Sequence, residues 1–204
     1  MRPHLRVVAV ALGAAVLGAA AGLWFGGPGP LLRTELGQRA LHGAMSATAP
    51  TPPDGVPVAE RGKAVPTVRA QRLDGAPLTL PGDFAGRPVL VNLWASWCGP
   101  CIEEMPELER FAQAQGANGV QVVGIALDEA DAVRAFLQRV PVTYAIALDA
   151  PGPRDAGVQL GNTRGVLPYT ALIDARGRLV KQKIGPFQPG EIDDWAAEAI
   201  QTTD

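Results

Sequence analysis

The sequence predicts an α/β fold, a central mixed β-sheet flanked by helices, with a transmembrane helix at the N-terminus. Three observations predict it. From about Val65 onward, short apolar runs alternate with segments of helical periodicity, the pattern of a layered α/β domain. One run, Val89–Trp94, is long and continuous enough for a strand covered on both faces. Far upstream, Val7–Phe25 is apolar and carries no charge.

The 19 residues of that apolar stretch approach the roughly 20 needed to cross a bilayer as helix. Arg2 and Arg6 precede it, which predicts an N-terminus inside and the remainder outside. Two readings fit, an uncleaved inner-membrane anchor over residues 1–27 and a signal peptide cut near Ala19-Ala20-Ala21. Either places the rest of the chain in the periplasm or outside the membrane, where disulfides persist. Residues 28–63 are rich in proline and glycine and read as a linker, with one weak helix over Leu31–Met45. They serve either as a tether that lets the domain reach clients or as a spacer without a role. Residues 64–204 form one domain with length for a real core.

Within that domain, Thr67–Leu73 and Leu78–Leu80 flank Asp74-Gly75, a hairpin signal. Strand Val89–Trp94 leads into a helix from Gly99 to about Ala114, whose apolar stripe is 101, 105, 108, 111 and 112. Glu103, Glu107 and Arg110 point outward, and Pro106 is expected to kink or restart the helix. Strand Val120–Leu127, helix Glu129–Arg139, strand Tyr144–Leu148 and a short helix Asp155–Leu160 follow. Tyr169–Asp174 and Arg178–Ile184 surround a turn at Ala175-Arg176-Gly177, and a last helix runs from about Pro189 to Gln201. Beyond residue 56 the chain has 14 Lys/Arg against 18 Asp/Glu, so it offers no basic footprint for nucleic acid.

The chemistry lies in Trp94-Ala95-Ser96-Trp97-Cys98-Gly99-Pro100-Cys101, a CxxC directly after the buried strand. These are the only two cysteines. A structural zinc site needs about four Cys/His ligands, and the only histidines, His4 and His42, lie upstream of the domain. A c-type haem site would place His where Ile102 stands. A short structural bridge belongs to cysteine-rich domains, which this is not. Redox chemistry remains. At a helix N-terminus the unpaired N–H groups and the dipole favour a thiolate, so Cys98 is the expected nucleophile and Cys101 the resolving thiol. No cofactor and no metal site is expected.

With CxxC on a βα turn in this pattern, the sequence resembles the thioredoxin superfamily over about residues 65–200. More narrowly it is similar to the membrane-anchored TlpA/ResA-type oxidoreductases. The resemblance rests on Val91–Cys101, Glu104-Met105-Pro106, Val122–Asp128 and Gly165–Asp174, with Tyr144–Leu160 resembling that branch's insertion. It implies a thioredoxin-like fold and a cis bond before Pro168 opposite the CxxC. Trp97, Gly99, Pro100, Leu167 and Pro168 then line the client groove, while Trp94 belongs to the core. Thioredoxins carry a buried Asp where this chain has Asn92, and the TlpA/ResA branch has a Glu at the position of Glu104. Glu104 is then either a partly buried proton acceptor for Cys101 or a solvated helix-face carboxylate. The resemblance also implies reduction of client protein disulfides, in cytochrome c maturation or copper-centre assembly, and a membrane electron donor of the DsbD/CcdA type. The alternatives are a disulfide-forming oxidant and a non-enzymatic metallochaperone-like module. The latter class has a wider cysteine spacing and a later histidine, both missing here.

Overall fold

The computed structural model describes Leu32, residues 34–116 and residues 119–201. The expected membrane segment, residues 7–25, lies outside the described residues. Among the described residues no helix is long and apolar enough to cross a membrane. Backbone contacts divide the chain into two units between Leu41 and His42, within helix α1 (Glu35–Ala47). Before that division, Thr34 Oγ1 accepts the N–H of Gly37 and Arg39 pairs with Glu35 one turn back.

The second unit is built on one seven-stranded sheet. Its strands are β1 (Val68–Arg72), β2 (Pro77–Leu80), β3 (Val89–Trp94), β4 (Gln121–Leu127), β5 (Ala145–Asp149), β6 (Tyr169–Ile173) and β7 (Leu179–Ile184). Their order across the sheet is β2-β1-β5-β4-β3-β6-β7. The three central strands β5, β4 and β3 run parallel, and every other pairing is antiparallel. Helices α2 (Gly99–Ala114) and α3 (Ala130–Leu137) are the crossovers of the parallel core. A short α4 (Ala156–Gln159) and the final α5 (Glu191–Gln201) complete the set.

Two cores follow from the period of two along each strand. Leu90 and Trp94 of β3 meet Met105, Leu108 and Phe111 of α2 and Ile192 and Trp195 of α5 on one face. Val89, Val91 and Leu93 meet Val68, Leu78, Ala156 and Leu160 on the other. The continuous apolar run of β3 reflects burial on both sides. Asn92 alone breaks it, and it points toward α2, where the functional residues collect.

The predicted hairpins form. Asp74 Oδ1 accepts from Ala76 N–H in the first turn, and Asp174 Oδ1 accepts from Arg176 and Arg178 N–H in the second, with Gly177 at φ +75°. Helix α2 runs on through Pro106, so the helix does not restart there. A proline costs the helix one backbone bond, and burial of Cys101, Met105, Leu108 and Phe111 on a single stripe outweighs that loss. Glu107 also departs from a purely outward role, since it accepts the Gly190 N–H at 2.8 Å and ties α2 to the start of α5. Residues upstream of Val65 belong to the packed body as well. Ala59 is buried and its N–H donates to Gln159 O, a His42 ring nitrogen lies 3.1 Å from Gly161 O, and Arg164 donates to Thr48 O.

Candidate active site

Strand β3 ends at Trp94, and the chain turns through Ala95, Ser96 and Trp97 before α2 begins. Two anchors shape this turn. Cys98 N–H donates to Ala95 O, and Ser96 donates both its N–H (2.8 Å) and its hydroxyl (2.6 Å) to Asp128 Oδ2 at the end of β4. Partial burial pushes the Asp128 carboxyl up, but the bonds from Ser96 and from Glu129 N–H outweigh it and leave it below the ordinary range. Cys98 is the N-cap of α2 in extended conformation, and its carbonyl accepts the Ile102 N–H. Pro100 occupies the first turn, where its missing N–H costs nothing.

The two cysteines form a disulfide, with Cα atoms 5.3 Å apart. Their environments differ: Cys98 is 6% exposed and Cys101 is sealed at 0%. Gly99 and Pro100 are exposed beside them, and Trp97 stands out at 72% exposure, whereas Trp94 is fully buried against Phe136. The Leu167–Pro168 bond is cis, as the resemblance implies. Leu167 packs against the core cluster that contains both cysteines. Asn162 holds the loop ahead of it by donating to Val166 O and accepting from Val166 N–H, and Pro168 O accepts Gly185 N–H. Trp97, Leu127 and Leu167 line a mainly apolar groove of about 370 Å³, together with Pro50, Pro52 and Arg164.

Beneath Cys101 lies a polar group inside the core. Glu104 is 1% exposed, so the helix-face alternative does not describe it. Its Oε1 accepts from Asn92 Nδ2 at 2.8 Å and its Oε2 from Phe187 N–H at 2.9 Å. Burial pushes its carboxyl up to about 7, against the pull of those two bonds and of the Lys183 charge. Asn92 also donates to Thr170 Oγ1, and Lys183 Nζ meets Glu191 Oε1 at 2.6 Å. The Tyr144 hydroxyl, buried nearby, has no hydrogen-bond partner among the described residues. Among the described residues no group of three or more His, Cys, Asp or Glu side chains could hold a metal ion.

Trp97, Cys98, Gly99 and Pro100 thus stand together at the start of α2 with Cys101 enclosed behind them, Leu167 shares the groove with Trp97, Pro168 is buried, and Glu104 lies inside the core. The sequence reading missed Asp128, Asn162 and Lys183. Asp128 had a visible signal, an acidic residue at the C-terminal end of a parallel strand, where α/β folds gather their functional groups.

An oxidised cysteine pair at the start of a helix, on a βα turn of a thioredoxin-like sheet, defines a thiol–disulfide oxidoreductase. The chain belongs to the Redoxin family, which matches residues 60–200, and is ResA-like within the thioredoxin superfamily. It is 30% identical over 139 residues to the thiol-disulfide oxidoreductase ResA of Bacillus thuringiensis subsp. konkukian, covering 67% of this chain and 76% of that one. It is 35% identical to the thiol:disulfide interchange protein HelX of Rhodobacter capsulatus, with 66% and 74% covered. The crystal structure of a thioredoxin-related protein from Neisseria meningitidis serogroup B superposes with a TM-score of 0.57 at 34% identity, over 65% of this chain and 98% of that one.

Proposed function

We propose that the chain is an exported, membrane-tethered reductase of client protein disulfides. The observation that carries this reading is the asymmetry of the pair: Cys98 keeps 6% exposure directly after Trp97, which lines the groove, and Cys101 is fully enclosed three residues before Glu104 on the same helix. Reduced Cys98, as thiolate, attacks one client sulfur and the other departs. Cys101 then gives its proton to Glu104 and attacks Cys98, which releases the second client thiol and closes the disulfide. Glu104 suits that step because a carboxyl lifted to about 7 exchanges a proton near neutrality, whereas Asn92 at the thioredoxin Asp position cannot.

Trp97, Gly99, Pro100, Leu167 and Pro168 are the client-binding set in this reading. An extended client strand pairs with the backbone before the cis proline and lays its side chains over Trp97. Residues 7–25 anchor the protein in the inner membrane with the domain on the periplasmic side. A membrane donor of the DsbD/CcdA type returns electrons to the pair, and the clients are apocytochrome c or copper-centre proteins. Membership of the ResA-like branch supports these assignments.

The test is the equilibrium reduction potential of the full chain in detergent, read by tryptophan fluorescence against dithiothreitol with Cys101→Ser as control. A value near about −270 mV supports the reductase; one near about −120 mV supports an oxidant instead. Reduction of a haem-binding CxxCH peptide disulfide then separates the cytochrome client from the copper-centre client.

A further inference from the structure

Lys183 is the one buried lysine or arginine among the described residues, at 2% exposure. A lysine that gives up its hydration needs a strong reason to stay charged. The sheet register explains where it points. Asn92 of β3 pairs with Thr170 of β6, and Thr170 pairs with Lys183 of β7, so the three form one row on the face beneath α2. Glu104 comes down on this row from α2 and takes the Asn92 bond.

The partners of Lys183 all belong to the polar group around Glu104. Its Nζ meets Glu191 Oε1 and lies 5.2 Å from the Phe187 ring centroid, and the Phe187 N–H in turn bonds Glu104. Glu191 leads outward: its side chain is 21% exposed and its other oxygen accepts from Gln188 N–H. The titratable groups acting on Glu104 are Lys183 on β7, Glu191 on α5 and Tyr144 ahead of β5, and Cys101 stands three residues before it on α2, the spacing that puts two side chains on one helix face. Lys183 is the only cation of that set. A pair that merely tied α5 to the body would not need burial, since Arg110 joins Asp193 at the exposed surface.

We propose that Lys183, clamped by Glu191, is the fixed charge that lets Glu104 take the Cys101 proton, a positioning residue of the resolving step. The proposal rests on the reading of Glu104 as proton acceptor. In that step the Cys101 S–H proton passes to the Glu104 carboxylate. The freed electron pair makes the bond to Cys98, and the Cys98–client bond breaks with its pair on the departing client sulfur. Without a cation, burial alone would hold the proton on Glu104 and leave no acceptor. With an unneutralised cation, Glu104 would be too weak a base. Glu191 offsets part of the lysine charge and keeps the carboxylate between these limits.

The experiment is a carboxyl ¹³C NMR titration of Glu104 in the full chain in detergent, alongside the pH profile of client-disulfide reduction. Lys183→Met should move the Glu104 midpoint up by about one pH unit, and the rate profile with it. Glu191→Gln should move both down, and Lys183→Arg should leave them near wild type. Lys183→Met/Glu191→Gln leaves no unpaired buried charge and should shift upward by less than Lys183→Met, so it serves if the single variant fails to fold. An unmoved midpoint in a folded charge-removing variant overturns the proposal and leaves Lys183 a structural tie. A Glu104→Gln variant that keeps the wild-type rate profile overturns the acceptor reading itself.

Discussion

Asn92 Nδ2 sits 2.8 Å from Glu104 Oε1, so the amide that interrupts the apolar run of β3 supports the carboxylate on the helix above it. The bond is strongest when Glu104 is charged, because charge-assisted bonds are about twice as strong as neutral ones. Asn92→Ala should therefore raise the Glu104 midpoint above about 7. The variant should lose about 1 kcal/mol at pH 5.5 and about 2–3 kcal/mol at pH 8.5, as read from urea unfolding at the two values. Equal losses at both would show that the bond does not follow the charge.

Glu104 should make stability itself depend on pH. Folding raises this carboxyl from 4.5 to about 7, so between those values the native state keeps a proton that the unfolded chain has lost. Stability then falls as pH rises through the interval and levels off above it, by on the order of 3 kcal/mol in total. Glu104→Gln should remove that slope. Chemical denaturation at half-unit steps from pH 4.5 to 8 provides the comparison.

Two tryptophans three residues apart should respond oppositely to truncation. Trp97 is 72% exposed, so Trp97→Ala should change stability by no more than about 0.5 kcal/mol while raising KM for a peptide disulfide several-fold. Trp94 is buried against Phe136, and Trp94→Ala should cost about 3–5 kcal/mol. Steady-state kinetics with thermal melts separates the two.

Asp128→Ala removes the acceptor for both Ser96 bonds and loosens the turn that places Cys98. The expected result is a loss of about 1–2 kcal/mol and a roughly tenfold slower attack of Cys98 on client, measured by stopped-flow. The Asp128 carboxyl is held below its ordinary value of 3.8, so its contribution is present above that value and fades as pH falls through the lower folded one. Wild type and variant should converge in stability under strong acid.

Much of this molecule was legible in its sequence because the signals were local. The continuous apolar run of β3, the Asp74-Gly75 and Arg176-Gly177 turns, and the stripe Cys101, Met105, Leu108, Phe111 of α2 each follow from neighbours a few residues apart. Cys98, Cys101 and Pro168 carry recognisable motifs. Lys183 does not, for a specific reason. Strict alternation from Leu179 would put Lys181 and Lys183 on the face of Leu179, but the β6–β7 register slips between Ile173↔Leu179 and Leu172↔Lys181. That bulge turns Lys183 toward α2. The burial of Glu104 depended equally on distant chain, since Phe187, 83 residues on, closes over it. The docking of Ala59, His42 and Thr48 on the body likewise depends on distant groups, the carbonyls of Gln159 and Gly161 and the guanidinium of Arg164.

The unequal exposure of the cysteine pair has a kinetic consequence. In the proposed cycle Cys98, with 6% exposure against none for Cys101, is the sulfur open to approach, so an electron donor would strike the same atom that clients use. Loading and unloading then share one doorway and exclude each other in time. Such an enzyme shuttles between partners in strict alternation. Its initial-rate plots against client, drawn at several donor concentrations, should be parallel lines, and an excess of either partner should inhibit the turn of the other.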